Sequence, residues 1–170
     1  MRRHPAAVLA VLLALLAYGL ARELGHRVAI WVLRLPCTTT LRYGFLPAVD
    51  ISRSAGSVSP SSAGWVTLAG PLAALAAGYA VLVVIVRRKA GSRLFGRTIA
   101  AIACYLCLVL DPIYYAAIPF FNLGGEPETV ASQLGLPLAR LQVGAVILLI
   151  LNIILTRKWV MPFLRQGGTT

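Results

Sequence analysis

Acidic residues are scarce in this sequence. Only five of its 170 residues are aspartate or glutamate, 12% are charged, and 59% are hydrophobic, with a mean hydropathy of +0.82. An ordinary soluble domain needs more polar side chains to cover its surface, so this composition excludes that class. Cysteine is scarce as well, and an odd number, three, provides no disulfide framework. Two of them, Cys104 and Cys107, form a C-x-x-C inside an apolar run, where no second pair exists to complete a zinc or redox site.

The sequence contains several long apolar segments. Segments of about 18 or more apolar residues with few charges are typical of transmembrane helices. We therefore predict an all-α membrane protein with a single membrane domain over residues 1–170. Its four predicted spans are residues 5–33, 63–86, 98–121 and 138–156. The first twenty residues also resemble a signal peptide, but their apolar run continues to Leu33, which favours an uncleaved anchor.

The segment between the first two spans is β-prone. Residues 38–45 and 48–51 favour extended structure, interrupted by Gly44 and Pro47, and either a short interfacial hairpin or a surface loop fits them. A serine-rich linker follows at residues 52–62. Dense small residues in the second span predict close packing at the centre of a bundle, and Pro71 is expected to bend or interrupt that helix.

The cations are distributed unequally along the chain, which has a formal net charge of +11. Ten lysines and arginines flank the predicted spans on one side of the membrane and four on the other. Because positive charge accumulates in the cytoplasm, this bias predicts that both termini are cytoplasmic. The expected partners of the chain are the lipid bilayer and anionic lipid headgroups rather than nucleic acid.

Four of the five acids lie in or beside the predicted spans. Ionisable groups at membrane depth are costly and tend to face a bundle interior, which makes them candidates for a functional site. A structural alternative exists for each. Glu23 has Arg27 four residues later for a local ion pair, and Asp111 could cap or kink a helix. The five acids are Glu23, Asp50, Asp111, Glu126 and Glu128.

The most informative motif is Arg22-Glu23-Leu24-Gly25-His26 in the first span. In an H-E-x-x-H helix two histidines bind zinc from one face and the glutamate is the general base. With residues 68–73 (L-A-G-P-L-A) and residues 110–126, which begin L-D-P and end G-G-E, this motif makes the chain resemble the site-2 protease family of intramembrane zinc metalloproteases. The resemblance covers roughly residues 7–140 and implies a small bacterial-type member in the plasma membrane.

The resemblance implies a role for each matching residue. Glu23 matches the general base, His26 the second histidine ligand, and Glu126 the carboxylate ligand. Gly70 and Pro71 match a Gly-Pro stretch in the following helix. Arg22 stands at the first histidine position and cannot bind a metal, because its guanidinium stays protonated. A catalytic zinc needs about three protein ligands and this set has two, so we expect no zinc and no proteolytic activity.

These residues lead to one structural hypothesis and leave three functions open. The hypothesis is that Arg22 places its charge where zinc would lie, between Glu23 and Glu126. The first function is a non-catalytic protein that holds a partner's transmembrane segment. The second is an active zinc metalloprotease with an unidentified ligand, for which His4 lies at the wrong end of the span. The third is an accessory subunit of a larger membrane complex. The resembled family places the histidine motif near the cytoplasmic side with the chain start outside, opposite to the cation count.

Overall fold

The chain folds as a bundle of long helices. The computed structural model describes residues 4–36, 38–42, 46–50, 58–87, 94–121 and 125–162. In chain order the elements are α1 (His4–Leu33), β1 (Thr38–Arg42), β2 (Leu46–Asp50), α2 (Pro60–Arg87), α3 (Leu94–Ala117), a 3₁₀ turn (Ile118–Phe121), α4 (Glu126–Leu134), α5 (Leu138–Leu155) and a π-helical turn (Thr156–Val160).

Four helical segments are long and apolar enough to cross a membrane. They are Ala6–Leu33, Pro60–Arg87, Gly96–Phe121 and Leu138–Val160. The prediction of an all-α membrane protein with four spans is confirmed, and the chain is an integral membrane protein. The last segment is longer than predicted because the chain continues beyond α5 as the π-helical turn.

The second span begins earlier than predicted, inside the serine-rich linker. Ser59 accepts a hydrogen bond at its Oγ from the backbone N–H of Ser62, at 3.2 Å, and Pro60 follows it. A serine N-cap followed by proline at the first helical position is a strong start signal for a helix. Pro71, which was expected to bend or interrupt the helix, lies within α2 and does not end it.

A proline in α3 explains a buried polar residue of α5. Pro112 has no N–H, so the carbonyl of Leu108 four residues earlier loses its helical donor. Asn152 of α5, which is fully buried, donates from Nδ2 to that carbonyl at 2.6 Å and accepts from the Tyr79 hydroxyl of α2 at 2.6 Å. One amide therefore ties three spans together in a medium that offers no water.

The β-prone segment forms a two-stranded antiparallel hairpin. Thr38 pairs with Asp50 at one end and Arg42 with Leu46 at the other. Pro47, expected to interrupt the segment, lies inside β2 opposite Leu41. Each strand of a two-stranded hairpin has a free edge, where proline's missing donor is tolerated. Residues 51–57 of the linker and the cations at 2, 3, 88, 89, 93 and 165 lie outside the described residues.

The short helix α4 lies between the predicted third and fourth spans and was not among the predicted helices. Glu126 and Glu128 occupy its first turn, where acidic side chains stabilise the helix dipole. At its end Gly135 adopts a left-handed φ of 66°, and the N–H of Leu136 bonds the carbonyl of Ala131 at 2.9 Å. This is a Schellman motif, which favours glycine.

Helix α2 packs against α1, α3 and α4, in agreement with the central position that its small residues predict. Gly25 of α1 shows how close the packing is, because a Cβ there would collide with the Ala69 carbonyl and the Ala73 methyl of α2. By contrast, α1 and α5 expose many large apolar side chains, such as Leu24, Trp31 and Ile150. Exposed apolar residues on spanning helices are suited to lipid contact.

Candidate functional site

Arg22 of α1 forms the central ion pair of the site with Glu126 of α4. Its Nη2 atom lies 2.7 Å from both Oε1 and Oε2 of the glutamate. The Arg22 side chain is 25% exposed and the Glu126 side chain 21%. Arg22 lies eleven residues before the end of α1, about 16 Å along the helix axis. A charge-assisted contact well inside the span therefore links the first helix to the segment after the third.

Asp111 of α3 lies on the other side of the guanidinium. Its Oδ1 is 3.5 Å from Arg22 Nε and accepts a hydrogen bond from the Tyr18 hydroxyl at 2.8 Å. The Asp111 side chain is 3% exposed. Its second oxygen, Oδ2, is buried and has no hydrogen-bond partner among the described residues. The aspartate is thus held at one oxygen only.

Tyr115 completes the group by donating its hydroxyl to Glu126 Oε1 at 2.9 Å. We call Tyr18, Arg22, Asp111, Tyr115 and Glu126 the Arg22 cluster. With both acids ionised, the cluster has two carboxylates and one guanidinium, so one negative charge is not balanced within it. The two tyrosines were not predicted as site residues. Helical spacing is the signal that could have found them, since each lies four residues from a charged member on its own helix.

Glu23 is not part of the Arg22 cluster. Its Oε1 accepts a bond from Arg27 Nε at 3.0 Å, one turn along the same helix. The hypothesis that Arg22 lies between Glu23 and Glu126 is therefore corrected: Arg22 lies between Asp111 and Glu126. The physical reason is local, because Glu23 and Arg27 are spaced to pair on the surface of one helix. Glu23, the residue that the resemblance matches to a general base, is therefore held in a local ion pair.

His26 faces α2 rather than Glu126. Its Nδ1 lies 2.7 Å from the carbonyl oxygen of Val66, and because a carbonyl only accepts, Nδ1 carries the hydrogen. The other edge of the ring lies against Gly70, where a Cβ would collide with Cε1 and Nε2. Gly70, singled out from the sequence, is thus needed for the close approach of the imidazole.

Both oxygens of Glu126 are bonded to Arg22, whose guanidinium cannot be a metal ligand. Across the described parts of the chain, no three His, Cys, Asp or Glu side chains converge on one point. The two cysteines of the C-x-x-C are buried, and Cys104 Sγ donates to the Gly78 carbonyl at 3.4 Å. They belong to the contact between α2 and α3.

Pro71 and Asp111 also line one cavity, between α2, α3 and α5.

Comparison of the chain with protein families, with curated proteins and with solved structures finds no match in any of the three.

Proposed function

We propose that this chain is a non-catalytic membrane protein with a site-2-protease-like arrangement, which binds and stabilises a membrane partner. The observation that carries the proposal is the contact of Arg22 with both oxygens of Glu126. In the resembled family, the residues that match Arg22 and Glu126 are ligands of a catalytic zinc. A guanidinium in place of one ligand supplies positive charge without a metal and leaves no position for an activated water.

The ion pair gives the site a structural use in place of catalysis. Arg22 joins α1 to α4 through Glu126, and it contacts α3 through Asp111. Breaking a buried pair leaves an uncompensated charge, which disfavours separation of the helices. The ion pair thus fixes α1, α3 and α4 relative to one another. A protein that retains a transmembrane segment without cleaving it needs such fixed helices.

An active metalloprotease is the less favoured alternative. It would need a third ligand, and the remaining histidine, His4, begins α1 some 22 residues before His26, about 33 Å along the axis. The general-base position, Glu23, would also have to leave its pair with Arg27.

The proposal is tested with the purified chain in lipid nanodiscs and a fluorescent single-span polyleucine peptide. We expect saturable energy transfer and no cleavage product, with or without added Zn²⁺. Fragments that disappear in a Glu23→Gln variant would establish the protease instead. Absence of saturable binding would contradict partner holding and favour an accessory subunit that acts without a cleft.

We also propose that the protein lies in a bacterial plasma membrane with both termini in the cytoplasm, where its cations meet anionic headgroups. The support is the ten-to-four distribution of cations. A fluorescent protein that matures only in the cytoplasm, fused after Thr170, should be bright. An alkaline phosphatase fusion at the same point should be inactive, and the reverse pattern would place the chain in the opposite orientation.

A further inference from the structure

The π-helical turn at the end of the last span carries exposed cations. Its three consecutive residues Arg157, Lys158 and Trp159 are exposed. Arg87, the last residue of α2, is exposed as well. The turn packs against both α2 and α3, and it shares a buried core cluster with Ile85 of α2. The cations of α2 and of the turn therefore lie at one end of the bundle.

Arg97 in the first turn of α3 adds a fourth cation at the same end. The six residues between α2 and α3 span at most about 22 Å, whereas α2 itself is about 42 Å long. The connection is too short to recross the bundle, so α3 begins where α2 ends. We call Arg87, Arg97, Arg157 and Lys158 the basic end.

No acidic side chain balances the basic end. All five acids of the sequence fall within the described residues. Asp111 lies 14 residues after Arg97 in α3, about 21 Å along the helix axis. Glu23 and the two acids of α4 lie at the level of the Arg22 cluster, and the last acid is in the hairpin before α2. Four positive charges are thus gathered where the described chain supplies no negative side chain.

The exposed face of α5 that leads to the turn is apolar. Four large side chains at helical spacing are each more than half exposed: Ile147, Ile150, Leu151 and Ile154. Arg157 and Lys158 follow the last of them by three and four residues, so they extend the same face. Lys158 Nζ lies 5.3 Å from the centre of the Trp159 ring, and tryptophan is enriched at the membrane–water interface. A lipid-facing apolar stripe therefore ends in two cations at the level of the headgroups.

We propose that the basic end binds one anionic phospholipid, with its phosphate bonded to Arg157 and Lys158 and an acyl chain along the apolar stripe of α5. Basic sites between transmembrane helices bind anionic lipid headgroups. The stripe favours a lipid over a soluble anion, because only a lipid carries an apolar chain that covers it. Arg87 and Arg97 add attraction for the phosphate at the same end.

The test is native mass spectrometry of the purified protein in detergent, titrated with phosphatidylglycerol or with phosphatidylcholine of identical chains. One phosphatidylglycerol should bind about 25-fold more tightly than phosphatidylcholine, because each of the two cations contributes about fivefold, equivalent to about 1 kcal/mol. Arg157→Gln and Lys158→Gln should each lower this preference about fivefold, and Lys158→Arg should retain it. The matched control is Arg140→Gln, which removes an exposed cation at the other end of α5 and should leave the preference unchanged. Glycerol phosphate, which has no acyl chains, should not displace the lipid at equal concentration.

This inference rests on the proposed contact of the cations with anionic headgroups and specifies which cations bind the lipid. An equal loss in Arg157→Gln and Arg140→Gln would overturn the site and leave only a general attraction to headgroups. Displacement by glycerol phosphate would identify a soluble anion as the occupant and overturn the lipid. Equal binding of the two lipids would contradict both the site and the headgroup contact, while the peptide test of helix holding would be unaffected. The lipid comparison uses the unaltered protein, so it remains decisive even if a variant does not fold.

Discussion

Replacing Arg22 with methionine should destabilise the protein strongly. Methionine keeps much of the side-chain length but removes the charge, leaving Glu126 without its partner at 2.7 Å and Asp111 without the cation at 3.5 Å. Loss of one member of a buried pair costs about 3–5 kcal/mol. Because Arg22 and Glu126 remain 25% and 21% exposed, we expect the lower end, about 3 kcal/mol. The measurement is unfolding in mixed micelles of rising SDS fraction, followed by far-ultraviolet circular dichroism.

The matched control is Arg27→Met, on the same helix. Arg27 is 41% exposed and pairs with Glu23 one turn away, so its loss should cost only about 0.3–0.5 kcal/mol. A double-mutant cycle of Arg22→Met with Glu126→Gln should show coupling of about 2 kcal/mol. Coupling below about 0.5 kcal/mol, the usual limit for independent sites, would refute the view that this pair fixes the helices.

Two further variants test the packing around the site. Gly70→Ala should displace the imidazole of His26 and destabilise the protein by about 1–3 kcal/mol. The control is Gly144→Ala, which has open space around it and should leave the free energy of unfolding unchanged or raise it by up to about 1 kcal/mol. Equal unfolding midpoints for the two variants would contradict the contact between Gly70 and His26. Asn152→Leu should lower the free energy of unfolding by about 1–3 kcal/mol, because the Leu108 carbonyl that Pro112 leaves without a helical donor then has no partner. A wild-type midpoint for this variant would show that the amide bridge is unimportant.

The spans were predictable because membrane insertion depends on length and hydropathy, which the sequence displays directly. The boundaries were less predictable. Ser59 and Pro60 are a helix start signal that can be read from the sequence, but the serines around them are also typical of a linker. Helix α4 was missed for a similar reason, since its cap residue Gly135 and the prolines around it also signal a loop.

The partner of Arg22 across the bundle was foreseen in part. The expected pairing with Glu126 depended on the resemblance, not on spacing, because 104 residues separate the two. The choice between Glu23 and Asp111 as the second carboxylate could not be made from sequence. That choice depends on which face of α1 is turned toward α3, a property of packing. Local ion pairing, always available to Glu23 through Arg27, was the simpler expectation for that residue and is what the structure contains.

The most direct test of the account is the zinc content of the purified protein and of its Arg22→His variant. We expect no stoichiometric zinc in the wild-type chain, because both oxygens of Glu126 are bonded to the Arg22 guanidinium, which cannot be a metal ligand. The Arg22→His variant is the comparison, because zinc binding there would require the His26 imidazole to leave the Val66 carbonyl and turn toward Glu126. A wild-type chain purified with about one zinc ion would contradict the central claim.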